Sequence, residues 1–269
     1  MARCSLDGRS SPRSLSCKLR RAMVDDPTPQ QERSSRAWRE ARTGREAWAR
    51  FRRWLARTRP ERDGDATGWC DEGLASYDLL TTPKATRLVL FHKQQVRGNF
   101  VADSRGAGWA TRWRIAVATP HFFPGPHDVT LVRAHARLIG GPVGIVAYLD
   151  PQGLHMFGAL RSGNPDAPNL GGKKLSVEWL GIDDGWLRKA HRTGRPLIGR
   201  LIRMPWVERE YWAIIKRLMP GVRALVGEES FGLLESGVKA ESEGFRDVMV
   251  QMLRARLKLV PSGVRAVGQ

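Results

Sequence analysis

Acidic residues are scarce in this chain. Against 45 Lys and Arg stand 27 Asp and Glu, a formal net charge of +18 over 269 residues. A surface so charged is drawn to polyanions, nucleic acid first and anionic membrane second, and is far from typical for a metabolic enzyme. GC-rich coding, which favours Arg, Ala and Gly, is the bland alternative source of the same bias. Cysteine is scarce too. Cys4, Cys17 and Cys70 are odd in number, far apart and without CxxC or Cys/His spacing, which argues against a zinc site and fits a reduced cytoplasmic chain. No stretch approaches the ~20 apolar residues that span a bilayer, so no membrane partner is expected. No GxxxxGK[ST] pattern occurs either, and Gly171-Gly172-Lys173-Lys174 does not supply a Walker A loop.

The N-terminus is rich in Arg and Ser but has no apolar core of a secretory signal. Asp7 and the Asp25-Asp26 pair argue against a transit peptide, and Met23 is an alternative start to Met1. Residues 1–35 read as a basic disordered tail. Ser35 to Arg57 reads as one helix, with Trp38, Ala41, Trp48, Phe51, Trp54 and Leu55 in a stripe and Gly44 interrupting it. Two readings fit: tryptophans docked on the main domain, or a basic helix on nucleic-acid phosphates. Opposite faces of one helix could serve both. A linker follows at 59–68, and Tyr77 reads as an ordinary half-buried tyrosine rather than a DNA-linking nucleophile.

From there the pattern turns α/β. Arg87–Phe91, Arg114–Thr119 and Val143–Tyr148 are apolar runs of strand length. The second leads through a Gly/Pro loop, His121–Asp128, into a helix from Val129 to Ile139. The third ends at Asp150, where Pro151 and Gly153 force a turn and Leu154, Met156, Phe157 and Leu160 follow at helical spacing. Leu175–Asp184 reads as a strand and exit loop after a polar turn region at 164–174. Helices are predicted over Val207–Leu218, Gly227–Glu235 and, as a closing amphipathic helix, Lys239–Val260. The expected architecture is an α/β, mostly parallel sheet flanked by helices over 81–260, with a basic helical appendage at 36–80 and a tail at 261–269.

This order, with its D-P-x-G turn, resembles the Toprim domain of topoisomerase VI A subunits. That Rossmannoid fold is shared with the meiotic double-strand-break protein and the nuclease subunit of Wadjet-type plasmid-defence systems. The family's D-x-D-P-x-G-hydrophobic segment is matched by Tyr148-Leu149-Asp150-Pro151-Gln152-Gly153-Leu154. Its WLG strand with a following acid is matched by Trp179-Leu180-Gly181 and Asp183. Its G-x-K-x-E-x-E segment is matched by Gly237-Val238-Lys239-Ala240-Glu241-Ser242-Glu243. The resemblance covers about Arg87 to Phe245. It implies a Toprim-like fold, DNA as partner, and Mg²⁺ held by a Glu of the first strand and both Asp of D-x-D. Here Tyr148 replaces the first Asp, and His92 and Lys93 stand where the family has its Glu. Mg²⁺ needs several hard oxygen ligands, so a degenerate Toprim fold with weakened or lost catalysis is expected.

Asp150 is the candidate catalytic residue, and Asp150 with Asp183 the candidate Mg²⁺ ligands; Asp150 could equally cap the helix after it. His121, Gly125, His127 and Gly153 are the loop positions beside that site. A His121/His127/Asp150 transition-metal site is conceivable, and Asp128 could instead cap a helix. Arg188, Lys189, Arg192, Arg195, Arg200 and Arg203 are the candidate DNA contacts. The expected function is a DNA-binding subunit of a DNA-processing or plasmid/phage-defence complex. The alternatives are an active nuclease with Asp128, Glu178 or Asp183 replacing the lost acids, and a structural component of a multiprotein complex.

Overall fold

The structure, a computed structural model, describes residues 27–58, 85–107, 113–119, 126–171, 175–194, 197 and 200–257. Cys4, Cys17, Cys70, Tyr77, the linker and the C-terminal tail lie outside them.

The chain enters through α1 (Pro29–Arg39) and α2 (Gly44–Thr58). Thr28 and Gln31 form a capping box, with Thr28 Oγ1 accepting from the Gln31 amide at 3.3 Å and Gln31 Oε1 from the Thr28 amide at 2.7 Å. Pro29 occupies the first helical turn, where its missing N–H costs nothing. Helix thus begins inside the stretch expected to be tail. The single helix expected over Ser35–Arg57 is also corrected, because the chain breaks at Glu40–Thr43 and folds back as a hairpin.

The central sheet comprises β1 (Arg87–Phe91), β2 (Ile115–Ala118), β3 (Val143–Val146) and β4 (Val177–Trp179). The strands lie in the order β2-β1-β3-β4, and every pair is parallel. β2 and β3 are buried throughout and β1 at all but its first residue, as a parallel sheet covered on both faces requires. The connecting helices are α3 (Gln94–Ala107), α4 (Pro126–Ile139) and α5 (Pro151–Ser162). After β4 come α6 (Asp184–His191), β5 (Leu201–Arg203), α7 (Trp206–Leu218), α8 (Val222–Val226) and α9 (Glu228–Glu235). The described chain ends with β6 (Val238–Ala240), a 3₁₀ turn (Ser242–Phe245) and α10 (Arg246–Arg256).

The closing helix is therefore shorter than the predicted Lys239–Val260. Its first residues are drawn into an antiparallel β5–β6 ribbon. The Leu149 amide donates to the Ala240 carbonyl at 3.0 Å, and the Ala240 amide returns the bond to Leu149 at 3.2 Å. That bridge ties the ribbon to the exit of β3.

The helical hairpin is part of the same core rather than an appendage. Trp38, Trp48 and Phe51 are buried with the sheet residues. Trp38 meets Phe51 edge-on at 5.3 Å between centroids, and Trp48 stacks on Tyr211 of α7 at 5.2 Å. Trp38 Nε1 donates to the buried Glu210 carboxylate at 2.9 Å, and Arg39 forms an ion pair with the same group. From α7, Arg217 donates to the carbonyls of Trp38, in the last turn of α1, and Ala41, in the break after it. The docked reading of the tryptophans holds.

Candidate functional site

In a sheet ordered β2-β1-β3-β4 the connections diverge between β1 and β3, and the crevice beyond their carboxyl ends is where open α/β sheets bind ligands. His92 and Lys93 leave β1 there, and Tyr148 and Asp150 leave β3. The Leu149–Ala240 bridge brings Lys239 and Glu241 to the same place, and α7 contributes Glu208.

Asp150 is the N-cap of α5. Its Oδ1 accepts from the Gly153 amide at 2.6 Å. Gly153 is required at this turn, since a Cβ there would lie 2.7 Å from the Tyr148 carbonyl oxygen and 3.0 Å from Ala147 Cβ. Asp150 is buried, and desolvation raises its pKa to about 6; the Gly153 bond, Lys239 and Lys93 pull it down and Glu241 pushes it up.

Around it the charges alternate. Lys93 Nζ lies 3.6 Å from Glu241, Glu241 lies 3.5 Å from Lys239 Nζ, and Lys239 Nζ lies 2.8 Å from Glu208. Burial opposes the Lys239 ammonium, but the hydrogen bond to Glu208 and the charges of Glu208, Asp150 and Glu241 outweigh it and raise its pKa. Burial also raises Glu208, against the pull of Lys239. The Lys93 ammonium stands 4.4 Å over the Tyr148 ring, with His92 edge-on to that ring at 5.2 Å. Beneath the chain, burial and then the Asp150 charge hold the Tyr211 phenol well above its ordinary pKa.

Such a donor set does not fit Mg²⁺. The carboxylates of Glu208 and Glu241 converge on a shared ammonium, and the Tyr148 side chain beside them offers an aromatic ring rather than a carboxylate. Among the described residues no group of three or more His, Cys, Asp or Glu is placed to hold a metal ion.

The other expected site residues are dispersed. Asp183, the expected second metal ligand, instead caps α6, accepting from the Gly185 amide at 2.8 Å and the Trp186 amide at 3.3 Å, and pairs with Arg256. Glu178 pairs with Arg87 at the start of β1, the end of the strand away from His92. Asp128 is buried in the first turn of α4, which begins at Pro126 rather than Val129. His121, Gly125 and Arg195 lie outside the described residues, as do the side chains of His127 and Glu243.

The basic stretch divides. Arg188, Arg192 and Arg203 are exposed and Lys189 half-buried. Arg200 is a correction: it is buried, with Nη1 and Nη2 on the two Asp247 oxygens at 2.7 and 2.8 Å and Nη1 on the Gly244 carbonyl at 2.7 Å. A guanidinium committed in this way holds α10 to the β5 entry and is not available to phosphate.

Sequence reasoning left Lys239 and Glu241 without a role, although the G-x-K-x-E segment that contains them was the available signal. Glu208, in the first turn of an ordinary amphipathic helix, carried none. No protein-family model matches the chain, and no curated protein matches its sequence.

Proposed function

We propose that this protein binds duplex DNA through a Toprim-like α/β body in which metal-dependent phosphoryl transfer has been lost. One observation carries the reading: the crevice at the β1/β3 switch point holds the ion-pair chain Lys93–Glu241–Lys239–Glu208 beside a single buried Asp150. Two-metal phosphoryl transfer needs several carboxylate oxygens turned toward a shared cation site, and two ammonium groups occupy that role here. The same groups give the crevice a fixed structure, because each carboxylate of the chain has a cationic partner. What remains for function is the exterior, and the net charge of +18 supports a polyanionic partner.

Fluorescence anisotropy on a labelled duplex tests this. Each phosphate neutralised contributes about −0.9 to the slope of log K against log salt. Affinity is expected to fall at least tenfold, roughly, between 50 and 200 mM salt, a fall that about two contacts already produce. No binding at 50 mM salt, or binding indifferent to salt, would rule the function out.

A further inference from the structure

Resting on the DNA-binding reading above, we infer that the outer face of the α1–α2 hairpin is a duplex-DNA docking surface, distinct from the Arg188–Arg203 stretch. The inner face of the hairpin is committed to the core, which fixes what faces outward. Arg33 and Arg36 stand exposed on α1, Arg42 in the turn, and Arg45 and Arg53 on α2. Arg33 and Arg36 are three residues apart, as are Arg42 and Arg45, spacings that place neighbours on one helical face or across one turn. Among the described residues of the hairpin the exposed acids are Glu32 and Glu40; Glu46 is half-buried and engaged by Arg50 and the Arg42 amide.

Arg33, Arg36 and Arg45 make no ion pair among the described residues, whereas other arginines of the hairpin are used internally. Arg39 pairs with Glu210, Arg50 with Glu46, and Arg52 with Asp166. Among the described residues the guanidiniums of Arg33, Arg36 and Arg45 pair with no acid, and holding them together on one small element costs repulsion that a polyanion removes.

The aromatic residues decide between duplex and single strand. Proteins that grip single strands offer exposed aromatic rings on which bases stack. Here Trp38, Trp48 and Phe51 are buried and Trp54 packs on Trp38 and Trp206 at 5.2 and 5.7 Å. Among the described residues the outward face offers arginines and no fully exposed aromatic ring, Trp54 being half-buried, which suits the evenly spaced phosphates of a duplex backbone. Rigid attachment follows from Arg217, which ties the last turn of α1 and the break after it to α7 through two carbonyls.

The test compares the wild type with R33Q/R36Q/R45Q and R188Q/R192Q/R203Q on labelled duplex and single-stranded DNA across 50–200 mM salt. The hairpin variant is expected to keep the wild-type melting temperature, to bind duplex at least tenfold more weakly at 100 mM, and to lose about 2 to 3 units of salt slope. Unchanged duplex binding by the hairpin variant overturns this surface, whichever way the second variant behaves. Wild-type binding to single strand as tight as to duplex overturns the choice of partner. A wild type that binds neither overturns the DNA-binding reading itself.

Discussion

Replacing Trp38 with alanine is expected to lower the stability of the whole chain by about 3–5 kcal/mol, the usual cost of truncating a buried tryptophan. Trp38 is 2% exposed and touches rings from both hairpin and body: Phe51, Trp54 and Trp206. Its truncation opens a cavity where these rings converge. It also strips the Glu210 carboxylate of its indole donor, leaving Arg39 as its partner. For a chain of this size the loss corresponds to roughly 10 °C in melting temperature. Thermal unfolding followed by circular dichroism measures it. A variant that melts with the wild type would mean that the hairpin is not integrated into the core.

Asparagine at position 150 is expected to stabilise the protein above pH 7 and to change the shape of its pH profile. The Asp150 pKa is raised to about 6, against about 3.9 for an unfolded aspartate. Between those values the native state holds a proton that the unfolded state has released, so stability falls as pH rises through about 4 to 6. Two units correspond to about 3 kcal/mol. Asparagine keeps the cap, since its side-chain oxygen can accept from the Gly153 amide, and removes the buried charge.

His155 works in the opposite sense. Burial pushes its pKa down to about 4, opposed by its hydrogen bond to the Pro165 carbonyl at 2.9 Å. The unfolded imidazole, near 6.5, binds a proton that the native one refuses, so stability rises with pH through about 4 to 6.5. The two contributions, each about 3 kcal/mol, nearly cancel in the wild type; Glu208, also raised, adds to the Asp150 side. Urea denaturation from pH 4 to 8 should therefore show Asp150→Asn gaining stability with pH, and His155→Gln losing it. Profiles of both variants parallel to the wild type would refute the burial of these charges.

The sheet was legible because its strands hold uninterrupted apolar runs, Leu88–Phe91, Ile115–Ala118 and Val143–Val146, bounded by Gly, Pro or charge. Asp150 was legible as both cap and candidate ligand, and its Oδ1 does cap α5. The hairpin break was legible but missed. Thr43-x-x-Glu46 is a helix-start pattern, and Thr43 Oγ1 does accept from the Glu46 amide at 3.2 Å. Gly44 was read only as a weak point within one helix. In the structure a Cβ there would crowd the Arg217 carbonyl at 3.1 Å, a tertiary reason with no local trace.

Long-range pairing hid the rest. Lys239 and Glu241 sit next to a helix-period pattern that starts at Phe245, and nothing local announces that Ala240 will bond to Leu149, far upstream. Arg200 looked like its exposed neighbours because its partner, Asp247, lies 47 residues on, beyond β5, α7, α8, α9 and β6. The misplaced charged residues, Lys239, Glu241 and Arg200, are those whose partners lie far along the chain, whereas the missed helix starts at Thr28 and Thr43 carried a local signal.

Supercoiled plasmid incubated with the folded protein and Mg²⁺ or Mn²⁺, with EDTA and Asp150→Ala as controls, tests the central claim most directly. A lysine–carboxylate chain in place of a metal clamp predicts plasmid that is retarded by binding but stays supercoiled with either metal. Nicking or linearisation that disappears both with EDTA and in Asp150→Ala would contradict it, and would mean that the crevice beside Asp150 assembles a working metal site.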